Sequence, residues 1–270
     1  MQTFHNKIAL VTGGASGIGE IMVRLLLERG ATVIIWDIDD SAFTRLQSTY
    51  GTLGSLVLMK VDVTDIQSIH ATAKNVLNDF NGVDFLINNA GIIVGKYLSE
   101  HTVEDIDRTM QINANAPIHV THAFINSMME RNTGHICNIA SSGGLLSNPK
   151  MSVYVASKWS LIGFSESVRL EMEQLNKNIK VTTVMPYYIA TGMFKGVRSK
   201  IPILKPEATA VTIITAIEKN KKMVTIPGYM YRLIRFAQAV LPITTFDWLT
   251  GKVLGVYHTM DHFTGRPPKE

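Results

Sequence analysis

The sequence predicts an α/β protein: one doubly wound, parallel, seven-stranded sheet flanked by helices, followed by an apolar helical extension. Three observations carry this. Seven short β-rich apolar runs alternate with segments of helical periodicity between Lys7 and Ile226. The first run, Lys7 to Thr12, passes through Gly13-Gly14-Ala15-Ser16-Gly17-Ile18-Gly19 into Ile21, Met22, Leu25 and Leu26 at helical spacing. A second run, Thr32 to Trp36, then closes a βαβ unit of about 30 residues, the size such a unit needs.

The glycine turn is the first candidate site. Glycines let the backbone approach a pyrophosphate, and the N-terminus of the following helix offers it free N–H groups and a positive dipole end. Gly13, Ser16, Gly17, Ile18 and Gly19 are the residues placed for that contact. Asp37 stands at the end of the second run. A carboxylate there accepts hydrogen bonds from both hydroxyls of an adenosine ribose and repels a 2′-phosphate, which favours NAD over NADP. Its plainer role is a helix cap or loop carboxylate.

The third strand, Ser55 to Val61, leads into Asp62 and Val63, where an adenine edge could be met. A helix from about Asp65 to Phe80 precedes a fourth strand, Val83 to Ile87, that ends in Asn88-Asn89-Ala90-Gly91. Ligands bind at the carboxyl ends of strands in open α/β sheets, so Asn89 is read as a brace, with Ala90 and Gly91 leaving room for a cofactor ribose. A long helix over Val103 to Met129 carries Asn113 among apolar neighbours. That amide is either a core asparagine bonded to backbone or the holder of a water in a proton relay.

The fifth strand, Gly134 to Ala140, delivers Ser141 and Ser142, and the helix that runs on to about Leu175 carries Tyr154 and Lys158. At i and i+4 the phenol and the ammonium share one helix face. A cation beside a phenol favours the phenolate and brings its pKa toward the working pH, as a general acid/base requires. The sixth strand, Ile179 to Met185, ends at Pro186 and opens an irregular segment over 189–205 containing Thr191, read as a substrate loop. A helix from Pro206 to Lys219 and a seventh strand, Met223 to Ile226, complete the sheet. The extension over 228–260 is apolar and interrupted: either core or dimer contact, or else a hydrophobic substrate wall or a membrane-facing hairpin edged by Arg232 and Arg235.

Composition narrows the classes. The 270 residues show no linker, so a single domain over 1–270 is expected. The net charge is +4, and from Met193 onward Lys and Arg number 12 against 5 Asp and Glu. That excess is too dilute, and too poor in aromatic platforms, for nucleic acid; it suits a solvated face or peripheral contact with an anionic membrane. One cysteine, Cys137, precludes an intrachain disulfide and has no ligand-spaced partner, so no metal is expected. The N-terminal residues lack a signal-peptide pattern, and no apolar run reaches the roughly 18 residues of a membrane span. A reducing, cytoplasmic setting is the expectation.

Taken together, Thr12-Gly-Gly-Ala-Ser-Gly-Ile-Gly19, Asp62, Asn88-Asn-Ala-Gly91, Asn113, Ser141, Tyr154-x-x-x-Lys158, and Pro186 with Thr191 resemble the classical short-chain dehydrogenase/reductase family over residues 5 to 226. The resemblance implies a Rossmann-type fold and hydride transfer between a nicotinamide and a carbonyl or carbinol carbon. It implies Tyr154 as general acid/base, Lys158 as the group that lowers its pKa and holds the nicotinamide ribose, and Asn113 as holder of a relay water. Family spacing selects Ser141, with Ser142 the fallback, to bond the substrate oxygen; Pro186 and Thr191 flank the nicotinamide. A homodimer or homotetramer is also implied. Tyr187 stands where the family commonly has glycine, which questions the local loop shape. Pro186-Tyr187, Thr191-Gly-Met-Phe194 and Leu204-Lys-Pro206 look like the branch of retinol dehydrogenases and 17β-hydroxysteroid dehydrogenases, implying a bulky hydrophobic alcohol or ketone as substrate. A 3-oxoacyl-thioester reductase and a non-catalytic NAD-binding scaffold are the alternatives.

Overall fold

The computed structural model of the chain describes residues 3–266. Its strands are β1 (Ile8–Thr12), β2 (Thr32–Asp37), β3 (Leu56–Lys60), β4 (Phe85–Asn88), β5 (Gly134–Ile139), β6 (Ile179–Pro186) and β7 (Met223–Ile226). All pair in parallel in the order β3-β2-β1-β4-β5-β6-β7, the Rossmann-type arrangement expected. The direction of winding reverses between β1 and β4, and that switch opens a crevice at the strands' carboxyl ends.

Strands buried on both faces read as continuous apolar runs, and successive side chains serve opposite layers. On one face Val11, Val33 and Ile35 pack with Leu26 of α1 (Gly17–Glu28) and Ile213 and Ile217 of α7 (Pro206–Glu218). On the other, Leu10, Ile34 and Trp36 meet Ile69 of α3 (Ile66–Phe80), Phe124 and Met128 of α5 (Ala116–Arg131), and Met172 of α6 (Ser152–Gln174). Asp65 caps α3 by accepting from the N–H groups of Gln67 and Ser68.

Two helical features depart from the sequence reading. Phe43–Tyr50 forms a short helix, α2, between β2 and β3 that went unread; only Leu46 of its residues is fully buried, so its apolar stripe is thin. The helix expected over Val103 to Met129 is α4 (Val103–Met110), a π-helical turn at Gln111–Asn115, and α5. Pro117 has no N–H to give the carbonyl of Asn113 four residues earlier, so the α register cannot continue there.

After β7 come α8 (Met230–Val240), α9 (Ile243–Trp248), a π turn at Leu249–Val253 and a 3-10 turn at Val256–His258. The extension is two-sided. Met230, Ile234, Phe246 and Met260 bury against Met185, Tyr187, Tyr188 and Val197, forming a third apolar cluster over the substrate loop. Tyr229, Leu233, Phe236, Val240, Ile243 and Trp248 remain exposed. The loop itself is pinched at its base by an Ile189–Leu204 bridge.

Candidate active site

A cavity of about 900 Å³ occupies the crevice, running from the glycine turn, past Ser141 and Tyr154, to Phe194 and Met230. Every predicted cofactor residue lines it: Gly13, Ser16, Gly17, Ile18 and Gly19 of the turn; Asp37, Asp62 and Val63; Asn89, Ala90 and Gly91; Tyr154, Lys158, Pro186 and Thr191. Asn113 lies behind the wall and is fully buried.

The turn is held open by its lack of side chains. Gly13 and Gly17 sit at φ +65° and +61°, a region glycine alone adopts freely. A Cβ on Gly13 would lie 2.9 Å from the Ala90 Cα, and one on Gly19 would run into the Gly13 carbonyl oxygen. Asn89 braces the turn, its amide donating to the carbonyls of Thr12 (3.1 Å) and Gly13 (3.0 Å). Ser16 precedes α1 without capping it, so the first-turn N–H groups keep their capacity for an anion. A dinucleotide's diphosphate fits such a cradle. Asp37 accepts from the N–H of Ala15 at 2.9 Å and of Asp39 at 3.1 Å, fixing its carboxylate beside the turn. Asp62 accepts from the backbone N–H and the hydroxyl of Thr64.

Ser141 and Tyr154 come together across the gap between β5 and α6. The Ser141 hydroxyl accepts from the Gly143 N–H at 3.0 Å and acts on the Tyr154 phenol to lower its pKa. Lys158, one turn along α6, is buried; its ammonium donates to the Ile139 carbonyl at 3.0 Å and stands 5.8 Å from the Tyr154 ring centre. Asn113 accepts from the Ile92 N–H (2.9 Å) and donates to the Ile92 carbonyl (2.8 Å) and the Ser157 hydroxyl (3.2 Å). Its side chain therefore behaves as a core amide tying backbone in place, and it tethers the Gly91 segment next to Lys158.

Proton affinities run against the simple pair argument. Burial pushes the Tyr154 phenol up to about 12, with the Ser141 hydrogen bond pulling the other way. Burial also pulls Lys158 down to about 8. Desolvation disfavours the charged form of each and is the largest influence on both.

The residue in the unusual position builds a wall. The N–H of Tyr187 donates to the Ile226 carbonyl at 2.8 Å, carrying the β6–β7 pairing one residue further, and its hydroxyl meets the Ser199 hydroxyl at 2.8 Å. Its ring packs on Tyr188 (4.6 Å between centres), Tyr188 on Phe194 (5.0 Å), and Phe194 edge-on to Tyr154 (6.2 Å). Asn148 donates to the Tyr188 hydroxyl at 2.8 Å. Asn148, Tyr188 and Arg266 line the cavity without having been singled out in the sequence; the first two lie outside any motif, and Arg266 meets Ser16 across 250 positions.

A family model described as short chain dehydrogenase matches residues 7–202. The chain belongs to the short-chain dehydrogenase family. It is an oxidoreductase of the alcohol dehydrogenase type. Among curated relatives, retinol dehydrogenase 10-B of Danio rerio is 33% identical, with 89% of this chain and 80% of that protein aligned. Epidermal retinol dehydrogenase 2 of Mus musculus is 32% identical, covering 97% and 87%. These place the chain near the retinol dehydrogenase branch. Among solved structures, a short-chain dehydrogenase/reductase from Burkholderia phymatum in complex with NAD superposes at TM-score 0.81, with 23% identity over 88% of this chain and 95% of that one. A metagenomic short-chain oxidoreductase in complex with NADP superposes at 0.71, with 26% identity over 83% and 96%. Among the described residues no helix is long and apolar enough to cross a membrane, and no three His, Cys, Asp or Glu side chains gather as metal ligands.

Proposed function

We propose that the protein is an NAD-dependent dehydrogenase that interconverts an alcohol and its carbonyl on a bulky apolar molecule of retinoid, steroid or long-chain type. The observation that carries this is the buried Ser141–Tyr154–Lys158 constellation between a glycine cradle and an aromatic wall. When bound, the nicotinamide supplies or accepts the hydride. Tyr154, protonated at neutral pH with its phenol at about 12, gives its proton to the carbonyl oxygen in reduction and takes one in oxidation. Ser141 bonds that same oxygen and orients the phenol. Lys158, at about 8, is largely cationic at pH 7 and supports the phenolate as charge develops. Asn113 fixes the Ile92 backbone and the Ser157 hydroxyl, which steadies the segment beside that lysine. Pro186 and Thr191 flank the nicotinamide end, and Tyr187, Tyr188 and Phe194 receive the apolar body of the substrate.

Two features support NAD. Asp37 presents a carboxylate where a 2′-phosphate would lie. Arg45, which reaches the Ala15 carbonyl at 3.3 Å, is committed to Glu20 at 2.6 and 2.9 Å. The exposed stripe Tyr229, Leu233, Phe236, Val240, carrying exposed Arg232 and Arg235, supports peripheral docking on an anionic lipid surface, the source of such substrates.

The test is initial-rate absorbance of the reduced nicotinamide, with NAD and NADP separately, against short alcohols, long-chain alcohols, retinol and hydroxysteroids. Turnover with NAD on the bulky members is expected, and Tyr154→Phe retains NAD binding while losing turnover. Preference for NADP would reject the Asp37 argument; near-normal turnover by Tyr154→Phe would reject the acid/base assignment.

A further inference from the structure

We propose that Arg266 binds the diphosphate of the dinucleotide, carried over the glycine turn by a C-terminal strap that also closes the substrate loop. This rests on the dinucleotide reading of the turn. The strap runs from the Val256–His258 turn to Arg266 and is fastened along its length. The Arg198 N–H donates to the Thr259 carbonyl at 3.1 Å, and the Lys195 carbonyl accepts from the N–H groups of Thr264 (2.9 Å) and Gly265 (3.2 Å). Close approach is built in: a Cβ on Gly196 would strike the His262 carbonyl, and one on Gly95 would strike the Phe263 ring. Gly265, at φ +66°, then turns the chain toward α1.

The guanidinium arrives at the start of that helix. Its Nη1 donates to the Ser16 hydroxyl at 3.3 Å, and Nη2 lies 3.9 Å from where a Gly17 Cβ would be, with the Thr191 Cβ 3.7 Å from the same point. Arg266 is exposed and lines the cavity. Among the described residues it forms no ion pair.

A guanidinium over a helix N-terminus sets a full positive charge beside the positive end of a dipole, an arrangement that repels unless an anion lies between. The first-turn N–H groups and the planar fork of an arginine are complementary to one phosphate from two sides. The position chooses which phosphate. Asp37 marks the ribose end of the turn through Ala15, whereas Arg266 stands by Gly17 and Thr191, at the diphosphate and away from a 2′ substituent. Because the strap is bonded to Lys195 and Arg198, an anion that fixes Arg266 also fixes the loop bearing Phe194. Cofactor binding and closure of the substrate site are thereby coupled.

Calorimetric titration of the full chain with ADP-ribose, 2′-phospho-ADP-ribose and adenosine, for wild type, Arg266→Ala and Arg266→Lys, tests this. Loss of a charge-assisted hydrogen-bond pair predicts ADP-ribose binding weaker by about 10-fold or more in Arg266→Ala, with adenosine unchanged and Arg266→Lys between. In parallel, ADP-ribose should protect the bonds after Lys195 and Arg198 from trypsin in wild type and fail to do so in Arg266→Ala. An unaltered thermal midpoint of the ligand-free variant excludes a folding defect, since the side chain is exposed. Equal ADP-ribose affinity for wild type and Arg266→Ala overturns the proposal, as does a loss confined to the 2′-phosphorylated ligand. A wild type that does not bind ADP-ribose instead overturns the dinucleotide reading beneath it.

Discussion

Lys158→Met should make the protein more stable at neutral pH, and the gain should fade as the pH rises. The ammonium is 4% exposed, its hydrogen-bond acceptor is the Ile139 carbonyl rather than a carboxylate, and burial lowers its pKa from 10.5 to about 8. In the unfolded chain the same lysine regains its ordinary affinity. Between about pH 8 and about pH 10.5 the unfolded state therefore binds more protons, so wild-type stability rises with pH across that window. Below it the folded state carries a constant penalty of about 3 kcal/mol, at ~1.4 kcal/mol per tenfold change in protonation. Integrated from pH 7 to pH 9.5, the recovered share is about 2 kcal/mol. Methionine has nothing to titrate, so its advantage over wild type should shrink by that amount. Cys137, whose thiol burial pushes up, lowers stability at high pH in both proteins and cancels in the difference. Urea unfolding followed by tryptophan fluorescence at intervals of pH gives the difference curve. A flat curve would mean that Lys158 is not a desolvated cation and keeps its ordinary proton affinity in the folded protein.

Gly19→Ala drives a Cβ into the Gly13 carbonyl and to 2.6 Å from the Asn89 amide, so the cradle must open; cofactor affinity by calorimetry should fall about 10-fold or more, the scale of a lost set of charged hydrogen bonds. Tyr187→Gly removes the Ser199 hydrogen bond and the packing on Tyr188; steady-state kinetics should show a raised KM for bulky substrates with short alcohols spared. Leu233→Ser with Phe236→Ser changes two exposed side chains; co-sedimentation with phosphatidylserine vesicles should be lost while turnover of a water-soluble alcohol is unchanged.

The sheet was legible because parallel strands buried on both faces leave uninterrupted apolar runs, and all seven were read to within about two residues. The glycine turn and the Tyr154–Lys158 spacing were legible for the same reason: each is local, and geometry over four to seven residues is written in adjacent letters. What was not legible is made by distant partners. α2 has one fully buried residue to announce it. The break at Gln111–Asn115 depends on Pro117 together with the Ile92 backbone that Asn113 binds. Arg266 reaches Ser16 only because Lys195, Gly196 and Gly265 bend the tail back, and none of those residues carries a motif.

The same division explains why the tyrosine's location was predicted correctly and its proton affinity was not. Spacing on α6 puts Lys158 one turn from Tyr154, but the distance that matters electrostatically is set by where each side chain ends. Lys158 turns to the Ile139 carbonyl, while the phenol turns to Ser141 and the edge of Phe194. Phe194 belongs to the substrate loop and Tyr188 behind it to the end of β6, held by Asn148 and Thr259. Desolvation, the dominant influence on the phenol, arises in an apolar cluster that joins Ala140, Leu145, Met151 and Val155 to Tyr188 and Phe194 and to Met230 and Met260 of the extension. A loop that swings outward re-admits water to the phenol and relaxes its pKa toward 10, whereas the Ser141 contact, made between β5 and α6, stays in place. The acid strength of the residue that anchors the motif accordingly depends on loop 189–205 and the extension packed on it as well as on the motif itself.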